Sequence, residues 1–308
     1  MKKITDFIKI NYKALIVGFI VGLIVVGTTA YAAILYQSSE VGYDNTISGL
    51  SSQNVQDALD ELHQQPSCPT PIDFATASWD EIVNAQPSQL QSSMKSGITK
   101  IVDLGSLGVH PVRIANLSTP SECSGSGFSQ TACGLVIEFA DIISTQKVNS
   151  TATSAGGWPA TELRTYVSST IYNALPSDLK SKIINTTVVS GYGTRDSSNF
   201  TSTDKLYLLS SHEVWEDVDG NINDGINYYD KAYSNTRQLD YYSLKSVTTD
   251  SFSEAIKKYN GSAAAYWLRS ARSSTYYSFL SVTNTGNWGT GNANYSNGAG
   301  VSPVFRIA

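Results

Sequence analysis

Ala14 to Tyr36 is a run of 23 residues without one charged side chain, with Leu15-Ile16-Val17 and Leu23-Ile24-Val25-Val26 at its heart. About 20 apolar residues in a helix cross a bilayer, so this stretch restricts the chain more than any other. Lys2, Lys3, Lys9 and Lys13 precede it against a single acid, Asp6. By the positive-inside rule that flank stays inside and everything after Tyr36 lies outside. A cleaved signal peptide competes with this reading. Ala14–Val26 serves as its apolar region, and Ala30-Tyr31-Ala32 has the small residues cleavage needs. Because Ala33-Ile34-Leu35-Tyr36 prolongs the run past that site, the reading favours an uncleaved anchor over residues 1–36. Both readings place the remainder outside the membrane, secreted if the N-terminus is removed.

Residues 37–65 read as a stalk. Val55, Ala58, Leu59 and Leu62 fall at i, i+3, i+4 and i+7, with Gln56, Asp57, Asp60 and Glu61 opposite, which predicts a helix over Gln53–Gln65 that Ser52 can cap. A helix of about a dozen residues is marginal alone. Its apolar stripe therefore needs the globular domain or copies of itself, the latter making a homo-oligomer through residues 53–65. The phrase Val41-Gly42-Tyr43-Asp44-Asn45, Ser48-Gly49-Leu50 and Asn54-Val55-Gln56-Asp57-Ala58-Leu59-Asp60-Glu61-Leu62 resembles a stalk element of phage tail fibres and bacterial surface proteins, which adds weight to self-association. Pro66-Ser67-Cys68-Pro69-Thr70-Pro71 is a stiff, extended linker (66–71) and the clearest domain boundary.

Residues 72–308 have the composition of a globular domain. Eighteen Tyr and 23 Gly favour strands and loops over helical bundles. A net charge of -5 without a basic stripe argues against nucleic acid as a partner. Ser78 with Glu81 predicts a capping box, and Thr99–Leu104 and Val109–Ala115 read as strands around a Gly105/Gly108 turn. β character is expected to run from Gly134 towards Asn149. Leu163, Val167, Ile171 and Leu175 are spaced by four in a helical region, and Ser177–Ile184 reads as a further helix with Ser177 as its cap. Thr203–Ser210 reads as a buried strand and Ser253–Tyr259 as helical. Cys123 and Cys133 flank a Gly/Ser loop, and outside the cell a disulfide between them is expected; Cys68 is left over.

No catalytic constellation emerges. There is no Gly-x-Ser-x-Gly and no phosphate-binding Gly-rich loop, and His212 at a strand end reads as structural. The chain is therefore not expected to be an enzyme, and no cofactor is implied. Asp217, Asp219 and Asn221 alternate as Ca²⁺ ligands do. Against a calcium loop, Gly220 is fourth instead of sixth, and Tyr228 stands where a closing Glu belongs, so an ordinary turn is favoured.

The last forty residues hold two strand-like blocks, Tyr266-Trp267-Leu268-Arg269-Ser270 and Gly300-Val301-Ser302-Pro303-Val304-Phe305-Arg306-Ile307, around a run of Ser, Thr, Tyr, Asn and Gly. No Lys, Asp or Glu follows Lys258. Trp267, Leu268, Val304 and Phe305 are expected in the core, and Arg269 between them needs a buried partner. With Gly157-Trp158-Pro159, Glu162-Leu163-Arg164, Leu175-Pro176, Thr203–Ser210 and Glu213-Val214-Trp215, these blocks resemble a domain family of unknown function. That family is found in surface proteins of Gram-positive gut bacteria, often behind a membrane segment. It commonly has Arg before the final Pro, where this chain has Ser302, so no role is carried over to that position. The closing layout is also similar to C-type-lectin-like domains, including the variable ends of diversity-generating retroelement targets. The resemblance implies an α+β, C-type-lectin-like domain over 72–308 on a bacterial cell membrane. The ligand face would comprise Tyr276, Tyr277, Phe279, Asn284, Asn287, Trp288, Asn292, Asn294, Tyr295 and Asn297. Tyr gives rigid amphipathic area and Asn adaptable hydrogen bonds, as in binding loops, and the partner is expected to be an extracellular protein or glycan. The competing reading is a structural cell-envelope protein without a ligand, whose Asn and Gly merely make turns.

Overall fold

The computed structural model describes residues 53–64, 69–216, 226–295 and 297–308. The expected anchor (1–36), Ser52, Cys68 and the Asp217–Asp224 loop lie outside the described residues. Among the described residues no helix is long and apolar enough to cross a membrane. The chain divides into two units, one up to Thr70 and one from Pro71 to Ala308.

The first unit contains helix α1 (Val55–Gln64). Asn54 caps it reciprocally: its Oδ1 accepts the Asp57 N–H at 2.8 Å and its amide donates to the Asp57 carboxylate at 2.7 Å. Leu59, on the predicted apolar stripe, is 54% exposed.

The second unit is α+β. It opens with α2 (Trp79–Asn84), held by the expected capping box in which Ser78 Oγ accepts the Glu81 N–H and the Glu81 carboxylate accepts the Ser78 N–H. Helix α3 (Pro87–Ser96) begins on a proline, whose missing N–H costs nothing in a first turn, and stops at Gly97 in the left-handed conformation. Thirteen strands follow among the described residues: β1 (Thr99–Asp103), β2 (Val109–Asn116), β3 (Val136–Phe139), β4 (Ser144–Gln146), β5 (Thr186–Ser190), β6 (Phe200–Asp204), β7 (Lys257–Tyr259), β8 (Ser262–Ala264), β9 (Tyr266–Ala271), β10 (Ser278–Val282), β11 (Trp288–Asn292), β12 (Ala299–Val301) and β13 (Val304–Arg306).

They form a four-stranded sheet β1-β2-β3-β13, a five-stranded sheet β11-β10-β9-β12-β4 and two hairpins, β5-β6 and β7-β8. The β12–β9 contact is parallel, while every other pairing is antiparallel. Two segments pass from one sheet to the other side by side. β3 leads to β4, and β12 leads to β13 through Ser302-Pro303. They are laced by Ile143 N–H to Val301 O at 2.9 Å and Phe139 N–H to Pro303 O at 3.1 Å. The C-terminus is thus built into both sheets. Trp267, Leu268, Val304 and Phe305 are all buried, with Trp158, Trp215 and Phe139 among the largest fully buried side chains.

The Leu163, Val167, Ile171 and Leu175 stripe is buried along a helical stretch from Glu162 to Ala174 that includes a π-helical turn at Val167–Ile171. Three expectations need correction. Thr203–Ser210 is not one strand: β6 ends at Asp204, and Leu206–Leu209 runs buried outside any strand, bridged to β13 where Tyr207 and Val304 exchange hydrogen bonds (3.0 and 2.8 Å) and to β9 where Leu209 O accepts the Arg269 N–H at 2.9 Å. Ser253–Tyr259 is a single 3-10 turn, Ser253–Ala255, followed by strand β7. The helix at Ser177–Lys182 takes Pro176, not Ser177, at its cap position. Gly157 is obligatory, because its φ is +54° and a Cβ there would lie 2.3 Å from the Phe200 ring.

Cys123 and Cys133 form a disulfide that closes the Gly/Ser loop. Cross-linking a loop of this size restricts the unfolded chain by about 3 kcal/mol. Changing both residues to Ser should lower the unfolding free energy by about that amount in urea titrations. An unaltered midpoint would show that the loop is ordered by its other contacts.

Candidate recognition face

The β10–β11 hairpin turns through Thr283–Asn287. Thr283 N–H donates to Asn287 O at 2.7 Å, Gly286 takes φ +91°, and Asn287 Oδ1 accepts the Trp288 N–H at 2.7 Å. β10 lies inside the sheet and is buried along its whole length. That removes Phe279 from the expected ligand face: at 1% exposure it is a core side chain, opposite Gly291 on one strand and Ala271 on the other.

The other expected residues are surface or half-buried, but they do not form one patch. Tyr276 and Tyr295 are 46% and 50% exposed. Asn284, at the hairpin turn, is exposed, as are Asn292 and Asn297. Asn287, Asn294, Tyr277 and Trp288 are half-buried. Tyr295 and Asn292 line a groove of about 490 Å³ whose lining includes Trp267, Ser281, Gly289 and Gly291. Gly291 has to be glycine there, since a Cβ would come within 2.5 Å of the Trp267 ring. Asn297 lines a different hollow with Gln146, Lys147, Glu162 and Tyr166.

A third grouping brings in residues outside the expected segment. Trp288 stacks on Tyr229 (centroids 5.2 Å, planes 26° apart), Tyr228 meets Tyr229 edge-on, and Tyr276 meets Tyr277 edge-on at 4.9 Å. Arg272 sits over Tyr229 at 4.8 Å and Arg195 over Tyr276 at 4.7 Å. Tyr228-Tyr229 is an aromatic pair in the sequence, but no spacing rule joins it to the C-terminal segment.

Behind this surface lie two buried charge networks. Arg269 is fully buried and meets Glu213 in a fork, Nη1 to Oε2 and Nη2 to Oε1, both 2.6 Å. Its remaining donors reach Val189 O (3.0 Å) and Leu208 O (2.8 Å). Glu213 also accepts the Ser210 N–H and the Thr131 and Thr236 hydroxyls. Burial disfavours the Glu213 charge, but Arg269 and these donors outweigh it and hold its pKa below the ordinary carboxylate value. In the second network Glu138 is bonded by Arg113 and Lys257, each at 2.7 Å, and by Tyr242 OH at 3.0 Å. Burial raises its pKa, yet Arg113 and Lys257 together bring it to about 2. Burial also pulls Lys257 down to about 8 in spite of Glu138. Ser302 belongs to this network, accepting from Lys257 Nζ at 3.0 Å and donating to Phe139 O at 2.9 Å.

Neither network opens onto a cleft, because Glu138, Lys257, Arg269 and Glu213 are each 0% exposed. His212 is stacked on Tyr233 at 3.9 Å, shares a hydrogen bond with Tyr233 O, and is held mainly neutral-favouring by burial. Among the described residues no group of three or more His, Cys, Asp or Glu is placed to hold a metal ion.

A family profile described as a domain of unknown function, DUF6273, matches residues 135–308. The chain belongs to the DUF6273 family. No curated protein and no solved structure matches it. The DUF6273 segment contains Glu138, Glu213, Lys257, Arg269 and Ser302, so both networks are centred inside it. It does not contain all of their partners: Arg113 and Thr131 precede residue 135, as do β1 and β2 of the four-stranded sheet. In this chain the folded unit therefore extends N-terminally beyond the DUF6273 match.

Changing Glu213 to Gln leaves Arg269 buried with a neutral partner. The expected loss is about 3–5 kcal/mol of stability, read by denaturant unfolding. A loss below about 1 kcal/mol would show that the backbone acceptors alone satisfy the arginine. The Glu138 carboxylate has a folded pKa (about 2) below its ordinary 4.5. Its contribution is thus complete above pH 4.5 and lost as pH falls towards 2. Stability should decline across that window, and the decline should be shallower in Glu138→Gln, measured as urea midpoints from pH 5 to pH 2.

Proposed function

We propose that this protein is a surface recognition module without catalytic activity, held on a bacterial cell membrane by residues 1–36 and facing outward. Its lectin-like domain would meet a protein or glycan through the C-terminal Tyr/Asn/Ser/Gly-rich face. What carries this reading is the contrast between scaffold and surface. Charged and aromatic groups are locked inside the domain, while Tyr276 and Tyr295, each about half exposed, and half-buried Trp288 stand at the surface in separate groupings among polar side chains. Exposed Tyr and Trp give contact area at low entropic cost, and anchors of this kind dominate binding energies.

Tyr276→Ala and Tyr295→Ala should each weaken ligand capture at least about fivefold while moving Tm by less than about 2 °C. Phe279→Ala should instead cost about 3–5 kcal/mol of stability. A screen of glycans and extracellular proteins that yields no saturable binding would favour the second reading, a structural envelope protein. That alternative draws on the exposed Leu59 of α1, an apolar side chain placed to meet another copy. Leu59→Asp should then convert oligomer to monomer in analytical ultracentrifugation.

A further inference from the structure

The turn Arg272–Tyr276 gathers three separate parts of the chain. It is closed by Thr275 N–H to Arg272 O at 3.1 Å. Ser273 ties it to the short helix Ile226–Tyr229, donating from its N–H to Tyr229 O (3.0 Å) and from its hydroxyl to Tyr228 O (2.7 Å). Thr194 N–H ties the loop before β6 to Thr275 O at 2.9 Å. Each part brings a cation over an aromatic ring: Arg272 over Tyr229, Arg195 over Tyr276, and Lys231 over Tyr228 at 5.7 Å.

None of these three cations has a salt bridge among the described residues. The acids beside them in sequence are engaged elsewhere. Asp230 is buried and accepts from Ser211 Oγ and the Ala232 N–H. Asp196 accepts the Gly156 N–H at 3.2 Å. These donors are neutral, so both carboxylates keep their charge, and among the described residues of the cluster three cations stand against two acids, neither of which pairs with them. Two donors of the same turn, Arg272 Nε and Thr275 Oγ1, are shielded from solvent and have no hydrogen-bond partner among the described residues. Shielded donors without acceptors are uncommon in folded proteins and call for an acceptor.

We infer that this cation-and-tyrosine cluster binds an anionic, hydroxyl-rich polymer of sugar or polyol units. The inference rests on the recognition reading above and names the class of ligand. Carboxylate or phosphate groups on the polymer meet Arg272, Arg195 and Lys231. The exposed parts of the Tyr276 (46%) and Tyr228 (42%) side chains, not covered by Arg195 and Lys231, take the apolar C–H surfaces of sugar or polyol units. Ser274, Thr290 and Asn292, exposed nearby on the same turn and on β11, offer the paired donors and acceptors that hydroxyl-rich chains require. An acidic peptide shares the anionic groups but not the dense hydroxyls, which is why the sugar-or-polyol polymer is favoured.

The full-length protein in detergent is titrated with polygalacturonate, poly(glycerol phosphate), neutral dextran, polyglutamate and single-stranded DNA. Saturable binding is expected to one or both of the first two, and which one identifies carboxylate or phosphodiester as the anion. The affinity is expected to fall roughly tenfold or more as salt rises from about 0.05 to about 0.5 M. It should survive EDTA, since the contacts are direct; loss in EDTA would overturn the assignment of the anion to these side chains. Arg272→Gln is expected to weaken binding about tenfold and the surface variant Arg195→Gln at least about threefold, both with Tm near wild type. If Arg272→Gln unfolds, Arg195→Gln and Lys231→Gln decide the matter. Equal binding to dextran, unaffected by these variants, overturns the inference and leaves the recognition reading standing. Binding confined to polyglutamate or DNA overturns the sugar-or-polyol class. Binding to none of the probes overturns the inference, and the wider ligand screen then decides the recognition reading separately.

Discussion

Arg269 lies in β9 with no access to water, so each of its donors has to be met by protein. Glu213 meets two of them in a planar fork, and the carbonyls of Val189 and Leu208 meet others. The acceptors come from the β5 hairpin, from the buried Leu206–Leu209 segment and from the one-turn helix Ser211–Val214 that follows it. Because a guanidinium fork tolerates little angular error, the pair fixes these pieces relative to β9 as well as neutralising a charge. The Glu213 carboxylate then extends the connection to Thr131, inside the disulfide loop, and to Thr236. Replacing such a pair with apolar residues is often neutral for stability. What it supplies here is a defined position, relative to β9, for the β5 hairpin and for the Leu206–Leu209 segment, which lies outside any strand.

The second network does the same at the corner where the chain changes sheets. Ser302 sits between β12 and β13, with Pro303 beside it, a place where the strand cannot continue its ladder. Its hydroxyl bonds Phe139 O, and Lys257 Nζ bonds Ser302, Phe139 O and Glu138 together. Two cations meet at Glu138, Arg113 from β2 and Lys257 from β7. Lys257 also holds Ser302, so the corner is tied to the same buried charge.

The sequence showed clearly those features that depend on near neighbours. The Ser78/Glu81 capping box, the β1–β2 hairpin, the stripe of four from Leu163 to Leu175 and the Cys123–Cys133 bridge all follow from local patterns. Arg269 could be assigned a buried partner because a charge within an apolar strand demands one, but Glu213, 56 residues away, could not be named. Two readings fail for different reasons. Thr203–Ser210 is read from hydrophobicity, which does not tell a ladder strand from another buried segment; Phe279 is placed on the ligand face by resemblance and composition, which do not tell an exposed strand from a central one. The Tyr228, Tyr229, Lys231 and Arg195 contributions to the surface were invisible because only the fold brings three distant segments to one turn.

The separation between scaffold and face has a physical consequence for how the face can vary. β10 is buried along its length and pairs on both sides, so it accepts little change. β11 pairs only with β10 and shows alternating half-exposed and exposed positions. The Arg272–Tyr276 turn is held by main-chain bonds from Thr275, Thr194 and Ser273 to carbonyl oxygens. Main-chain bonds do not depend on side-chain identity, so the ring and cation groups on that turn and along β11 can be exchanged without dismantling their support. Gly291 is the exception, since its missing side chain makes room for Trp267. The proposed recognition face would need a support of this kind, in which Ser273, through its hydroxyl bond to Tyr228 O, is the one side chain of the turn that contributes to the main-chain frame.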